Sequence, residues 1–210
     1  IEAKLTTLPM GVGEDVRTSD ATAATSDAHD HDFAFLGRLS AKKGVDRFLA
    51  AAQLLAQDAP ELSIAIAGDG ELREHLMQVP FNGARHFAGF VTGADKLDFL
   101  SRARFAVFPS LSWEGDVEGL PVALLEALCM GKVVAASRDT NIELLPEWPM
   151  LRELIFLIED PRDTKAFAAT LKTMRALTPQ DVAARSRRIR ALAERYHWDR
   201  LIDDYLAAVA

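Results

Sequence analysis

Phe105-Ala106-Val107-Phe108, then Glu118-Gly119-Leu120-Pro121-Val122-Ala123-Leu124-Leu125-Glu126, then Lys132-Val133-Val134-Ala135-Ala136 read in order as strand, helix and strand. The two outer runs are apolar without alternation, the pattern of strands buried on both faces. Gly-Leu-Pro marks a helix start, because proline's missing N–H is no loss at the first helical position. The helix is expected from Pro121 to about Met130, with Gly131 as its cap. Glu118 then stands just ahead of the helix N-terminus and Glu126 about two turns in. Helix N-termini favour anions. A ligand phosphate fits there, with a carboxylate on either side for sugar hydroxyls. A solvated glutamate before a helix and a second on its polar face would give the same spacing.

The same alternation runs outward in both directions. Phe33-Ala34-Phe35-Leu36 reads as a strand, and residues 45–57 carry Val45, Phe48, Leu49, Ala52 and Leu55 at helical spacing. A strand over 62–67, a short helix over 71–78, a strand over 85–88 and a helix over 94–102 lead to the opening stretch. A sixth strand is expected over 154–158, and everything after Asp163 is helical. The fold class is therefore α/β: a Rossmann-like, doubly wound parallel sheet with extra C-terminal helices. Three parts are expected: an irregular linker over 1–31, the sheet domain over 32–178, and C-terminal helices over 179–210.

Composition limits the function classes. With 24 basic and 31 acidic residues the net charge is −7, which argues against a general nucleic-acid binder but leaves room for a local anion site. Cys129 stands alone, so no intrachain disulfide forms, and it reads as a small buried apolar residue. No apolar run is long enough to span a bilayer, and no signal peptide is visible. The chain starts with Ile1 rather than Met, which reads as a fragment, a processed product or a trimmed chain. His29-Asp30-His31 lacks further metal ligands nearby and reads as a solvated turn. Arg185, Arg187, Arg188, Arg190 and Arg195 make the C-terminal part basic; a solvated helical face explains them, with contact to an acidic partner or membrane surface as the alternative.

In a doubly wound sheet the first and fourth strands are neighbours, and ligands bind at their carboxyl ends. Residues 37–44 and 109–126 should therefore converge. The first segment brings Arg38 and Lys43, suited to a diphosphate. The second brings Glu118, Glu126 and a helix N-terminus. Together they describe a nucleotide-sugar site.

At these residues the chain resembles the C-terminal, donor-binding domain of GT-B glycosyltransferases of the family 4 type, the group 1 glycosyltransferases. The matching segments are Gly37-Arg38-Leu39-Ser40 with Lys43-Gly44, Ala67-Gly68-Asp69-Gly70 with Leu72, and Val107-Phe108-Pro109-Ser110. Gly115-Asp116 with Glu118-Gly119-Leu120-Pro121, Leu125-Glu126-Ala127, and Gly131 with Val133-Val134 follow, and Trp198 stands where the family often has an aromatic before its closing helix. The Leu8-Pro9-Met10-Gly11-Val12-Gly13 stretch looks like the family's linker between two domains. The resemblance covers about residues 33–205 and looks most like bacterial surface-polysaccharide transferases.

The resemblance implies a retaining hexosyltransferase that needs no metal or other cofactor and takes a UDP- or GDP-sugar as donor. Arg38 and Lys43 would neutralise the diphosphate, with Glu118 facing the transferred sugar and these three forming the catalytic set. Glu126 would hold the ribose, and the Phe90-Val91 region the base. Gly37, Gly68 and Gly70 would let the backbone approach the nucleotide, and backbone N–H groups at Gly119 and Leu120 would reach sugar or phosphate. A carbohydrate or lipid-linked acceptor would bind through a second domain absent from this chain, against which residues 179–210 would pack, so that the isolated chain transfers little. The implied location is cytoplasmic, with peripheral contact at the inner membrane face.

Departures from the family pattern fall after the fifth strand, where Ser137-Arg138-Asp139-Thr140-Asn141-Ile142-Glu143-Leu144 lacks the usual glycines and Arg152-Glu153 replaces Asn-Gly. Glu143 fills the acidic position, and Glu114 is a second carboxylate near the site. A dehydrogenase is disfavoured because no G-x-G-x-x-G follows the first strand. A GT-B nucleotide-sugar epimerase and a non-catalytic nucleotide-sugar-binding module are the rival readings.

Overall fold

The computed structural model of the chain describes residues 10–13, 16, 29–112, 116 and 118–209, with 204 and 207–209 described by their backbone only. The stretch 18–27 and Glu114 therefore lie outside the described residues. Six strands, β1 (His31–Leu36), β2 (Ser63–Ala67), β3 (Ala84–Gly89), β4 (Ala103–Phe108), β5 (Val133–Ser137) and β6 (Phe156–Ile158), form one parallel sheet in the order β3-β2-β1-β4-β5-β6. This is the doubly wound arrangement expected from the sequence.

Burial explains the strand compositions. Across β1 and β4 Phe33 registers with Phe105, both without exposed surface, their rings 5.5 Å apart. Burying such a side chain contributes roughly 1.5–3 kcal/mol, so the central strands can dispense with polar residues. The edge strand β3 alternates exposed and half-buried positions, and there Arg85 lies over the rings of Phe81 and Phe87.

Helices α1 (Val45–Ala56), α2 (Arg73–Gln78), α3 (Gly93–Ser101) and α4 (Val122–Cys129) carry the chain between the first five strands. Two 3-10 turns (Arg138–Thr140 and Ile142–Leu144) and α5 (Trp148–Leu151) follow β5. After β6 come α6 (Thr164–Arg175), α7 (Pro179–Ala193) and α8 (Trp198–Val209). From β1 the chain steps one way across the sheet, and from β4 it steps the other. Right-handed crossovers then place α1 and α4 on opposite faces, where α1 packs on α6 and α4 on α7. Helix starts follow local chemistry: the Asp163 carboxylate accepts from the N–H groups of Lys165 and Ala166, and Thr178 and Asp181 form a reciprocal capping box.

The structure corrects the sequence reading in places. Pro121 is not the first residue of α4 but its N-cap, with ψ at 129°, its carbonyl accepting from the N–H groups of Leu124 and Leu125. Glu126 thus sits about one turn into the helix rather than two. β1 starts at His31, two residues before the apolar run, because this end of the strand is held by polar contacts. His31 Nδ1 lies 2.9 Å from Ser63 Oγ and the ring stacks on His86, so it is no solvated turn. Among the described residues no cluster of three potential metal ligands occurs, and no helix is long and apolar enough to cross a membrane.

Three of the five C-terminal arginines are structural ties. Arg185 donates to the Glu153 carbonyl (2.9 Å), Arg190 to the Met130 carbonyl (3.0 Å), and Arg195 pairs with Glu147 (2.9 Å). The linker meets this region at Val12: the Val12 N–H donates to the Tyr196 carbonyl, and Trp198 N–H to that of Val12. The buried Tyr196 hydroxyl donates in turn to Glu147.

Candidate functional site

The carboxyl ends of β1 and β4 are adjacent, and the segments leaving them are tied together. Gly44 has φ 69°, and a Cβ there would come within 2.0 Å of the Pro109 carbonyl oxygen, so only glycine lets these two loops touch. The Leu111 N–H donates to the Lys42 carbonyl at 2.7 Å. On its other side the β1 loop is tied to the β2 loop: Gly37 N–H donates to Ala67 and Leu39 N–H to Asp69. A Cβ on Gly68, at φ 136°, would lie 1.8 Å from the Gly37 carbonyl oxygen.

These loops frame a cleft of about 600 Å³. Its walls are Gly37 and Arg38 from β1, Gly68 and Gly70 from β2, Phe90 and Val91 after β3, Lys96 of α3, and Val122, Ala123 and Glu126 of α4. A smaller hollow of about 180 Å³ adjoins it across Arg38 and Val122 and reaches Lys43, Ser110 and Pro121. Both open at the N-terminus of α4, whose first-turn N–H groups precede the first intrahelical bonds.

Eight of the eleven site residues expected from the sequence thus line the two cavities: Gly37, Arg38, Lys43, Gly68, Gly70, Phe90, Val91 and Glu126. Glu118 lines neither but is one contact away, with Oε1 2.7 Å from Lys43 Nζ. It is buried, and its Oε2 has no hydrogen-bond partner among the described residues. Gly119 is exposed, and a Cβ there would meet nothing within 4 Å; with Leu120 it lies outside both cavities.

The charges in the site are paired. Arg38 is the most open, at 74% side-chain exposure, and reaches only to 3.9 Å from Glu71. Lys42 pairs with Asp116 at 2.7 Å, and Lys96 with Glu126 at 2.5 Å. Phe90 is 78% exposed, a large flat apolar surface left in the open at the cleft mouth.

Lys96 is one residue the sequence reading missed. It stands one turn into the helix that follows Phe90-Val91, so the only lysine of α3 was the available signal. Asp139 and Asn141 were missed too. They come from the stretch that departs from the family pattern, and they bond the Ser112 N–H (2.7 Å) and the Glu118 carbonyl.

The comparisons with known proteins agree with this fold. The family model "Glycosyl transferases group 1" matches residues 30–176. The amylovoran biosynthesis glycosyltransferase AmsK of Erwinia amylovora is 32% identical over 117 residues, covering 53% of this chain and 29% of that protein. The putative colanic acid biosynthesis glycosyltransferase WcaL of Escherichia coli K12 is 26% identical over 179 residues, covering 83% of this chain and 43% of its own. The chain therefore spans less than half the length of either relative. Anabaena HepE, solved in complex with UDP, shares the fold at a TM-score of 0.66 and 18% identity, over 93% of this chain and 52% of HepE.

Proposed function

The chain belongs to the group 1 glycosyl transferases, and on that premise we propose that it is the donor-binding half of a retaining hexosyltransferase. Its substrate would be a nucleoside-diphosphate sugar, and its product a surface polysaccharide or glycoconjugate. The observation that carries the reading is the cleft at the carboxyl ends of β1 and β4, which joins Arg38, Lys96 and Glu126 to a helix N-terminus in one cavity.

Each group then has a task. Arg38 and Lys43 offset the diphosphate and stabilise the leaving nucleoside diphosphate as charge develops on it. Glu126, its Oε1 held by Lys96, accepts from the ribose hydroxyls. Phe90 offers its open face to the base beside Val91. Gly37, Gly68 and Gly70 let the backbone come close, and Glu118 faces the transferred sugar with the neighbouring backbone of Gly119 and Leu120. Donor binding on this reading needs no metal. The UDP held by HepE and the polysaccharide roles of the two relatives support a nucleotide-sugar donor and a polysaccharide product.

The donor-binding unit spans about residues 32–178, and residues 179–210 pack toward a second, acceptor-binding domain. Met10, Trp198, Ile202 and Leu206 leave apolar surface exposed where the linker meets α8, which supports that packing. The chain alone binds nucleotide and transfers little. The enzyme works in the cytoplasm, with any membrane contact peripheral.

Calorimetric titration of the chain with UDP, GDP and ADP, without added metal, tests the reading. One nucleotide should bind, and Arg38→Ala, Lys96→Ala and Glu126→Ala should each weaken it at least tenfold. Unchanged binding in all three variants refutes the assignment. The anomeric configuration of the product made by the full-length enzyme checks retention.

A further inference from the structure

The loop between β4 and α4, which carries Glu118, is clamped from two sides. From the β1 side, the Lys42 carbonyl accepts from Leu111 N–H, Lys42 Nζ reaches Asp116, and Lys43 Nζ reaches Glu118 Oε1. From the β5 side, Ser137 Oγ donates to the Ser110 carbonyl at 2.5 Å, Asp139 Oδ2 accepts from Ser112 N–H, and the Asn141 side-chain amide donates to the Glu118 carbonyl. The last of these acts on the backbone of Glu118 itself.

Asn141 is also the one non-glycine residue with positive φ among the described residues, at φ 57° and ψ 21°. Asparagine tolerates this left-handed conformation better than most residues. It joins the two 3-10 turns after β5, and both are firmly anchored: Thr140 and Ile142 have no exposed surface, and Thr140 Oγ1 donates to the Ser137 carbonyl at 2.6 Å. The amide is therefore presented from a fixed platform. Of the Glu118 carboxylate oxygens, one is held by Lys43 and the other has no hydrogen-bond partner among the described residues.

We propose that Asn141 is a positioning residue for Glu118: its amide fixes the Glu118 backbone and thereby sets where the carboxylate stands toward the transferred sugar. The proposal rests on the reading of Glu118 given above. It assigns a task to the segment that departs from the family pattern. A residue at Asn141 must adopt the left-handed backbone and also supply a donor. Glycine meets the first requirement and fails the second.

Asn141→Gly therefore separates the two roles, since it relieves the backbone and removes only the amide. Two readouts apply, with Glu118→Gln and the double variant alongside. The first is the backbone amide order parameter. At Glu118–Leu120 it should fall from about 0.85 toward 0.6 in Asn141→Gly, while in β4 and β5 it stays at the parent value. The second is the affinity advantage of the sugar nucleotide over the bare nucleotide, measured with UDP and UDP-glucose and with GDP and GDP-mannose. That advantage should fall roughly three- to tenfold in Asn141→Gly, the worth of one hydrogen bond, while binding of UDP or GDP itself is unchanged. The double variant should be no worse than Glu118→Gln alone, because both changes act through one group. Asn141→Asp, which sets a carboxylate against the Glu118 carbonyl, should lose more than Asn141→Gly. Parent-like order parameters at 118–120 in Asn141→Gly overturn the proposal. So does a retained sugar advantage in Asn141→Gly when Glu118→Gln has lost it. If Glu118→Gln keeps the full advantage, the reading of Glu118 fails first and takes the proposal with it.

Discussion

Lys43→Ala should destabilise the fold more than Glu118→Gln, although the two remove the same ion pair. Lys43 is 26% exposed in its side chain and Glu118 10%. Removing the lysine strands a carboxylate whose second oxygen already has no hydrogen-bond partner among the described residues. Breaking a buried pair from one side costs about 3–5 kcal/mol, and an exposed pair is worth about 0.2–1 kcal/mol. The partial exposure of Lys43 puts its removal between these limits, at about 2 kcal/mol. That corresponds to a fall in Tm of about 4–8 °C for a domain of this size. Glu118→Gln leaves an ammonium that can turn to solvent, and the new amide is neutral, so its cost should stay below about 1 kcal/mol. The double variant should be more stable than Lys43→Ala alone, because the stranded charge is gone. Urea unfolding of the four proteins at neutral pH gives the cycle directly. If Lys43→Ala costs no more than Glu118→Gln, or if the two effects add, the carboxylate is not held as described.

Three further outcomes follow from buried groups. Lys132 is 3% exposed, its ammonium donating to the carbonyls of Ser101 and Ala103, and burial lowers its pKa to about 8. The unfolded chain therefore binds more protons than the folded one between about pH 8 and the ordinary lysine value, so stability should rise with pH across that window. Relative to Lys132→Met, the gain should be about 2–3 kcal/mol between pH 7.5 and 10.5; urea midpoints that run parallel in the two proteins would contradict it. Burial pushes the Cys129 thiol up to about 12, and it points to the Ala193 carbonyl, so a thiol reagent at pH 8 should label it only as fast as the protein unfolds. Gly68→Ala would place a methyl group against the Gly37 carbonyl in a backbone that alanine resists, and should cost about 3 kcal/mol or more, read as a lowered denaturant midpoint.

The sheet was legible because its strands are extreme. In β1, β2, β4 and β5 burial on both faces demands runs such as Phe-Ala-Phe-Leu and Val-Val-Ala-Ala, and their order follows from the helices between them. Strand ends were less legible, since His31 joins β1 through Ser63 and His86, partners distant in sequence. The start of α4 was misplaced by one residue because proline is equally suited to the N-cap and to the first turn, and only ψ distinguishes them. That Arg38, Lys43 and Glu126 would line adjoining cavities followed from chemistry in the segments after the strands. Lys96, Asp139 and Asn141 were not legible in this way. Each acts by completing another residue's contacts, and such pairings across 30, 27 and 23 residues leave no local signature.

The pairing of charges around the cleft also sets how the protein meets a charged molecule at a distance. Lys42, Lys43 and Lys96 each stand against a carboxylate, and among the described residues Arg38 has only Glu71 at 3.9 Å. The far field of this region is close to neutral, and the chain as a whole carries −7. A dianion diffusing in would feel little attraction until it is within about 10 Å, the screening length at moderate salt. Capture is then short-ranged, its rate rising with ionic strength as the overall repulsion is screened, and discrimination among anions falls to dipoles and hydrogen bonds met at contact.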